Sequence, residues 1–84
     1  MTDTANAELI RRAIIQQKQI SCEYLNQRGE LSDRVIDPMR LSPDGQYYYL
    51  AGWCNQAHDM RVFRLDRMRK LQVLETSVSQ VAQD

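Results

Sequence analysis

Residues 9–29, LIRRAIIQQKQISCEYLNQRG, change their hydrophobic period partway along, and that change decides the fold. In the first half, Leu9, Ile10, Ala13, Ile14 and Gln17 fall at the i, i+3, i+4 spacing of one helical face. Arg11, Arg12, Gln16 and Lys18 cover much of the remainder, and Ile15 lies off the stripe, which allows a wider buried arc. The helix reads from Thr4 to Lys18, capped by Asp3 or Thr4. From Ile20 the period is two: Ile20, Cys22 and Tyr24 alternate with Ser21, Glu23 and Leu25, as side chains on a strand do. Asn26-Gln27-Arg28-Gly29 is then a turn, with Gly29 free to take positive φ.

Downstream, the strand pattern repeats. A second strand reads from about Arg34 to Ser42, interrupted at Pro38, which implies an edge position or a bulge there. Ser42-Pro43-Asp44-Gly45 is a strong turn signal, because proline presets φ and glycine supplies a left-handed residue. Tyr47 to Cys54 is a third strand, with Tyr47, Tyr49 and Trp53 on one face and Tyr48, Leu50 and Cys54 on the other. A polar loop, Asn55 to Asp59, leads to a fourth strand from Arg61 to Leu65. Asp66 to Arg69 reads as one helical turn, and Leu71, Val73 and Leu74 as a fifth strand.

The expected fold class is mostly β: an N-terminal α-helix followed by a five-stranded antiparallel SH3-like or Sm-like barrel. Five short strands make a poor open sheet with two solvated edges, and rolling them up removes the edges and makes one core. The domain plan is a helix over residues 1–18 capping the barrel, the barrel over 19–76, and a flexible tail over 77–84. Phe63, Leu65, Leu50, Ile20 and Trp53 are the expected core.

The chain has 84 residues and a formal net charge of zero. Residues 1–60 carry six basic and eight acidic side chains, whereas residues 61–70 carry five basic ones against Asp66 alone. One decapeptide therefore holds the positive field and is the place to look for an anionic partner. No apolar run reaches the roughly 18 residues that span a membrane, and the N-terminus lacks the order of a secretory signal. Cys22 and Cys54, without a CxxC or a nearby histidine, read as small buried apolar residues of a reducing cytoplasm rather than zinc ligands.

No catalytic arrangement emerges. The single histidine, His58, sits in a polar loop, the serines have no nucleophile elbow around them, and the three glycines are too far apart to cradle phosphate. The chain is therefore read as no enzyme and as needing no cofactor or metal. In Arg61-Val62-Phe63-Arg64-Leu65-Asp66-Arg67, the arginines at 61 and 64 start on opposite faces of a strand. Arg67 can return towards Arg64 or Arg61 only if the backbone bends near Asp66. Arginine suits phosphate through its bidentate fork, and aromatic rings suit nucleobases by stacking. A charge run at a strand end also serves simply to keep an edge solvated.

The stretch Tyr48-Tyr49-Leu50-Ala51-Gly52-Trp53-Cys54, followed by Arg61-Val62-Phe63-Arg64-Leu65-Asp66-Arg67-Met68, resembles the WYL domain family. Tyr24, Arg34 and Asp37-Pro38-Met39-Arg40-Leu41 fit the same pattern, and the similarity covers roughly Ala13 to Leu74. Tyr48 stands where the family's name-giving tryptophan usually sits, which leaves contacts that need an indole ring open. The resemblance implies an Sm-like barrel found in bacterial transcription regulators and in accessory proteins of phage defence. It also implies a surface of aromatic and basic residues that binds a negatively charged ligand, with single-stranded nucleic acid or a nucleotide as leading candidates. The residues here that match that surface are Tyr24, Arg34, Tyr48, Arg61, Arg64 and Arg67. One helix before the barrel is too little for a winged-helix domain, so the expected context is a partner protein, a DNA-binding partner domain or a longer chain. An Sm-like assembly module, pairing its edge strands into a homo-oligomer, is the alternative.

Overall fold

A computed structural model describes residues 2–78. Its elements are α1 (Thr2–Gln16), β1 (Lys18–Leu25), β2 (Leu31–Asp44), β3 (Tyr47–Cys54), β4 (Asp59–Arg64), a short 3₁₀ turn (Leu65–Arg67) and β5 (Met68–Ser77). All neighbouring strands are antiparallel, in the order β4-β3-β2-β1-β5. The expected class of one helix and five antiparallel strands therefore holds. Closure does not: β4 and β5 stand at the two ends of the sheet and do not pair, and the 3₁₀ turn crosses from one to the other.

α1 stops short of Lys18 because Gln17 takes a left-handed φ of 58°, which a helix cannot continue through. Asp3 and Thr4 lie inside the helix rather than at its cap. Ala7, Ile10 and Ala13 are buried and Ile14 packs against the core, whereas Ile15 is 81% exposed, so the buried arc is no wider than the stripe. The turn after β1 is built on Asn26, whose Oδ1 accepts from the backbone N–H of Arg28 and of Glu30 at 2.8 and 2.9 Å. Gly29 supplies the positive φ, 81°.

β2 belongs to both halves of the sheet. Its first part pairs with β1 and its second with β3, and Ile36 faces Ile20 on one side and Cys54 on the other. The break in register between Pro38 and Arg40 is the bulge that a proline in a central strand requires. Gly52 sits opposite Pro38, and a Cβ there would lie 2.7 Å from the Asp37 carbonyl oxygen and 2.8 Å from Ile36 Cγ2. The bend of β2 thus depends on a missing side chain in β3.

Rolling the sheet brings Ile20, Ile36, Leu50, Phe63 and Leu65 into one core beneath Ile10 and Ala13 of α1. Trp53 is an exception to the expected core: it is half-buried, because Leu50, Gly52 and Cys54 take the inner face of β3 and leave Trp53 on the outer one. β5 extends to Ser77 and Val78 is buried, so the expected tail does not begin at 77. The remainder of it, residues 79–84, lies outside the described residues.

Phe63→Ala should cost about 3–5 kcal/mol, as a buried aromatic does. Gly52→Ala should cost about 1–3 kcal/mol by overpacking against β2. Urea unfolding of the two variants measures both, and a loss below about 1 kcal/mol at Phe63 would contradict the register of β4.

Candidate functional site

On β4, Phe63 points into the core and Arg64 outward. The four-residue connection 55–58 sets Cys54 opposite Asp59, and counting back along the hairpin places Tyr49 opposite Arg64. The guanidinium carbon of Arg64 lies 3.9 Å from the centroid of the Tyr47 ring. Its Nε and Nη2 donate to Asp66 Oδ1 and Oδ2 at 2.9 and 2.6 Å, a bidentate pair. That pair holds the Asp66 carboxyl below the usual carboxylate range and pushes the Arg64 guanidinium up, chiefly through the hydrogen bonds.

Tyr24, on β1, joins the group from across the rolled sheet. Its hydroxyl accepts from the Arg64 backbone N–H at 3.1 Å, and its ring meets Phe63 edge-on at 5.0 Å. The 3₁₀ turn supplies the bend near Asp66, and Arg64 and Arg67 on either side of it line one hollow. The result is a concavity of about 270 Å³ lined by Tyr24, Asn26, Gln27, Tyr49, Val62, Arg64 and Arg67. Arg67 makes no ion pair among the described residues.

Three of the six candidate residues, Tyr24, Arg64 and Arg67, thus converge, and three do not. Tyr48 is on the inner face of β3, half-buried against the core, with the Arg11 guanidinium 5.8 Å from its ring centroid. Arg34 turns inward, donating from Nη1 to Cys54 Sγ at 3.3 Å and from Nε to Ser32 Oγ at 3.1 Å. Arg61 pairs with Asp59 at 2.6 Å, towards the other end of β4. The sequence reading missed Tyr47, Tyr49, Asn26 and Gln27. The two tyrosines were within reach, since they share the outer face of β3 and the short connection to β4 fixes which residue faces Arg64.

Among the described residues no three His, Cys, Asp or Glu side chains are grouped to hold a metal ion. Both cysteines are buried thiols, and burial pushes Cys22 up to about 11. No helix of the described residues is long and apolar enough to cross a membrane.

The fold is thus a small rolled sheet capped by one helix, with an arginine and tyrosine hollow at its seam. The WYL domain model matches residues 5–73, and the chain belongs to the WYL domain family. It is 29% identical over 68 residues to Protein PafC of Mycobacterium tuberculosis, covering 80% of this chain and 22% of that protein. It is 30% identical over 60 residues to Protein PafC of Mycobacterium leprae, covering 70% of this chain and 18% of that one. Among solved structures it resembles the proteasome accessory factor B/C (PafBC) of Arthrobacter aurescens, with a TM-score of 0.86 and 31% identity over 95% of this chain and 13% of that chain. The chain spans about a fifth of the length of the curated relatives it matches.

The ion pair makes a titration prediction. A carboxyl whose folded pKa is depressed stabilises the fold above its unfolded pKa of about 3.9, and the stabilisation is lost as pH falls through the folded value. The Asp66 side-chain carboxyl resonance should therefore titrate below about 3.9, and Arg64→Leu should return it towards that value. An unshifted Asp66 in the parent protein would show that the bidentate pair does not form in solution.

Proposed function

We propose that this chain is a non-catalytic sensing module of a bacterial regulatory protein, binding an anionic ligand that contains nucleotides in the hollow between Tyr24, Tyr49, Arg64 and Arg67. The observation that carries this reading is the convergence of two arginines and two tyrosines from β1, β3, β4 and the 3₁₀ turn in one concavity. Arginine offers planar donors to phosphate and tyrosine offers a stacking face to a base. Transcription regulation is the process in which we place it, since WYL domains are modules of such regulators and this chain matches only part of PafC and PafBC. A role in phage defence is the less direct version of the same reading. The two buried, unlinked thiols suit a reducing cytoplasm.

A second reading has its own observation. The sheet keeps two open edges, and β4 exposes Val62 (66%) and Met60 (44%) beside one of them. Edge-to-edge pairing would make the module a unit of assembly with a second copy or another domain.

Salt separates the two. Anisotropy of a labelled single-stranded oligonucleotide should show binding that weakens steeply with salt, with each phosphate contact contributing a slope of about −0.7. Arg64→Ala and Arg67→Ala should each weaken binding, and Arg67→Ala should flatten the slope by about one such contact. Arg61→Ala, outside the hollow, should change it little. Absence of binding at low salt, alongside dimerisation that persists at high salt, would favour the assembly unit.

A further inference from the structure

We infer that Asp66 is a positioning residue that locks Arg64 as a stacking plate for a nucleobase, so that the hollow selects an unpaired nucleotide rather than a bare polyanion. This rests on the nucleotide reading above and specifies what the ligand must carry.

The geometry assigns the parts of the Arg64 guanidinium one by one. Its Nε and Nη2 edge, the edge that would grip a phosphate bidentately, is occupied by both carboxylate oxygens of Asp66. One side of the group is covered by the Tyr47 ring at 3.9 Å. Its charge is compensated by the same carboxylate. Arg64 nevertheless lines the hollow, whereas Tyr47 does not. What Arg64 has left to offer is the face turned away from Tyr47, together with Nη1. A planar, weakly hydrated guanidinium face stacks well on a π-system, and every nucleobase presents one.

The neighbours complete the demand on the ligand. Arg67, without an ion pair among the described residues, is the cation still available for a phosphate. Gln27 also lines the hollow, and a side-chain amide can both donate and accept at a base edge. A base paired and stacked in a duplex presents neither face, so the ligand is single-stranded.

The test compares three probes on the purified domain at one low salt concentration: a short oligothymidylate, an abasic strand with the same number of phosphates, and inorganic tripolyphosphate. The parent protein should prefer the oligothymidylate over the abasic strand by about tenfold or more. Arg64→Lys keeps the charge and removes the plate, so that preference should shrink to about twofold while abasic binding stays unchanged. Asp66→Asn weakens the lock and frees the fork for phosphate, so the abasic strand and tripolyphosphate should each bind several-fold tighter and the base preference should fall. Circular dichroism confirms that both variants are folded, and either one alone tests the plate.

Equal binding of oligothymidylate and abasic strand by the parent would overturn the stacking plate and leave an anion site standing. A parallel loss of both strands in Arg64→Lys would also overturn it, by making Arg64 a phosphate contact. Binding of none of the three probes would instead remove the nucleotide reading itself, and the inference with it.

Discussion

Tyr24 makes the contact that ties the far strands of this rolled, open sheet together. β1 and β4 are separated in the sheet by β2 and β3, yet the Tyr24 hydroxyl accepts from the Arg64 N–H and its ring packs edge-on against Phe63. An aromatic pair contributes about 0.5–1.5 kcal/mol beyond its burial, and a hydrogen bond about as much again. These are small amounts in a large protein and considerable ones in a domain of 84 residues, whose stability is of the order of 5 kcal/mol. The same contact seals Phe63 from water on one side and forms a wall of the hollow on the other. Core and site therefore share a residue.

The charge distribution has a less direct effect than the count of arginines suggests. Of the five basic side chains in residues 61–70, Arg61 is paired with Asp59, Arg64 with Asp66, and Lys70 approaches Glu23 at 3.7 Å. Exposed pairs of this kind add little stability, but they cancel much of the local field. The recognition proposed at the seam would then depend more on shape, planarity and stacking than on raw attraction. This is consistent with a chain whose overall charge is zero.

Much of this architecture could be read from residue types. The period change after Lys18, the turns at Gly29 and Gly45, and the limits of β3 at Tyr47 and Cys54 are local properties, and local chemistry determines them. Phe63, Leu65, Leu50 and Ile20 are buried as their alternation requires. The errors arise where one local signal gave way to a distant one. Trp53 is large and apolar, but register places it on the outer face. Arg34 is an expected site residue, but its guanidinium donates to a thiol twenty residues away on β3. Tyr48 is another, but the inner face of β3 claims it, and its neighbours Tyr47 and Tyr49 hold the aromatic positions beside Arg64. Family position and side-chain direction are different kinds of information, and only the pairing of β3 with β4 supplies the second.

The location of the hollow follows from the way the barrel fails to close. An open seam between the end strands leaves backbone and side chains there less constrained than in the sheet interior, where ligand sites are harder to build without cost to the core. Here the seam is bridged by one tyrosine and flanked by a 3₁₀ turn, and the concavity draws its walls from both sides: Tyr24 and Asn26 from β1 and its turn, Arg64 and Arg67 from β4 and beyond. The ligand proposed for those walls would add a second bridge across the seam. Its binding free energy would be available only to the rolled sheet, which would link occupancy to folding and add stability where β4 and β5 do not pair.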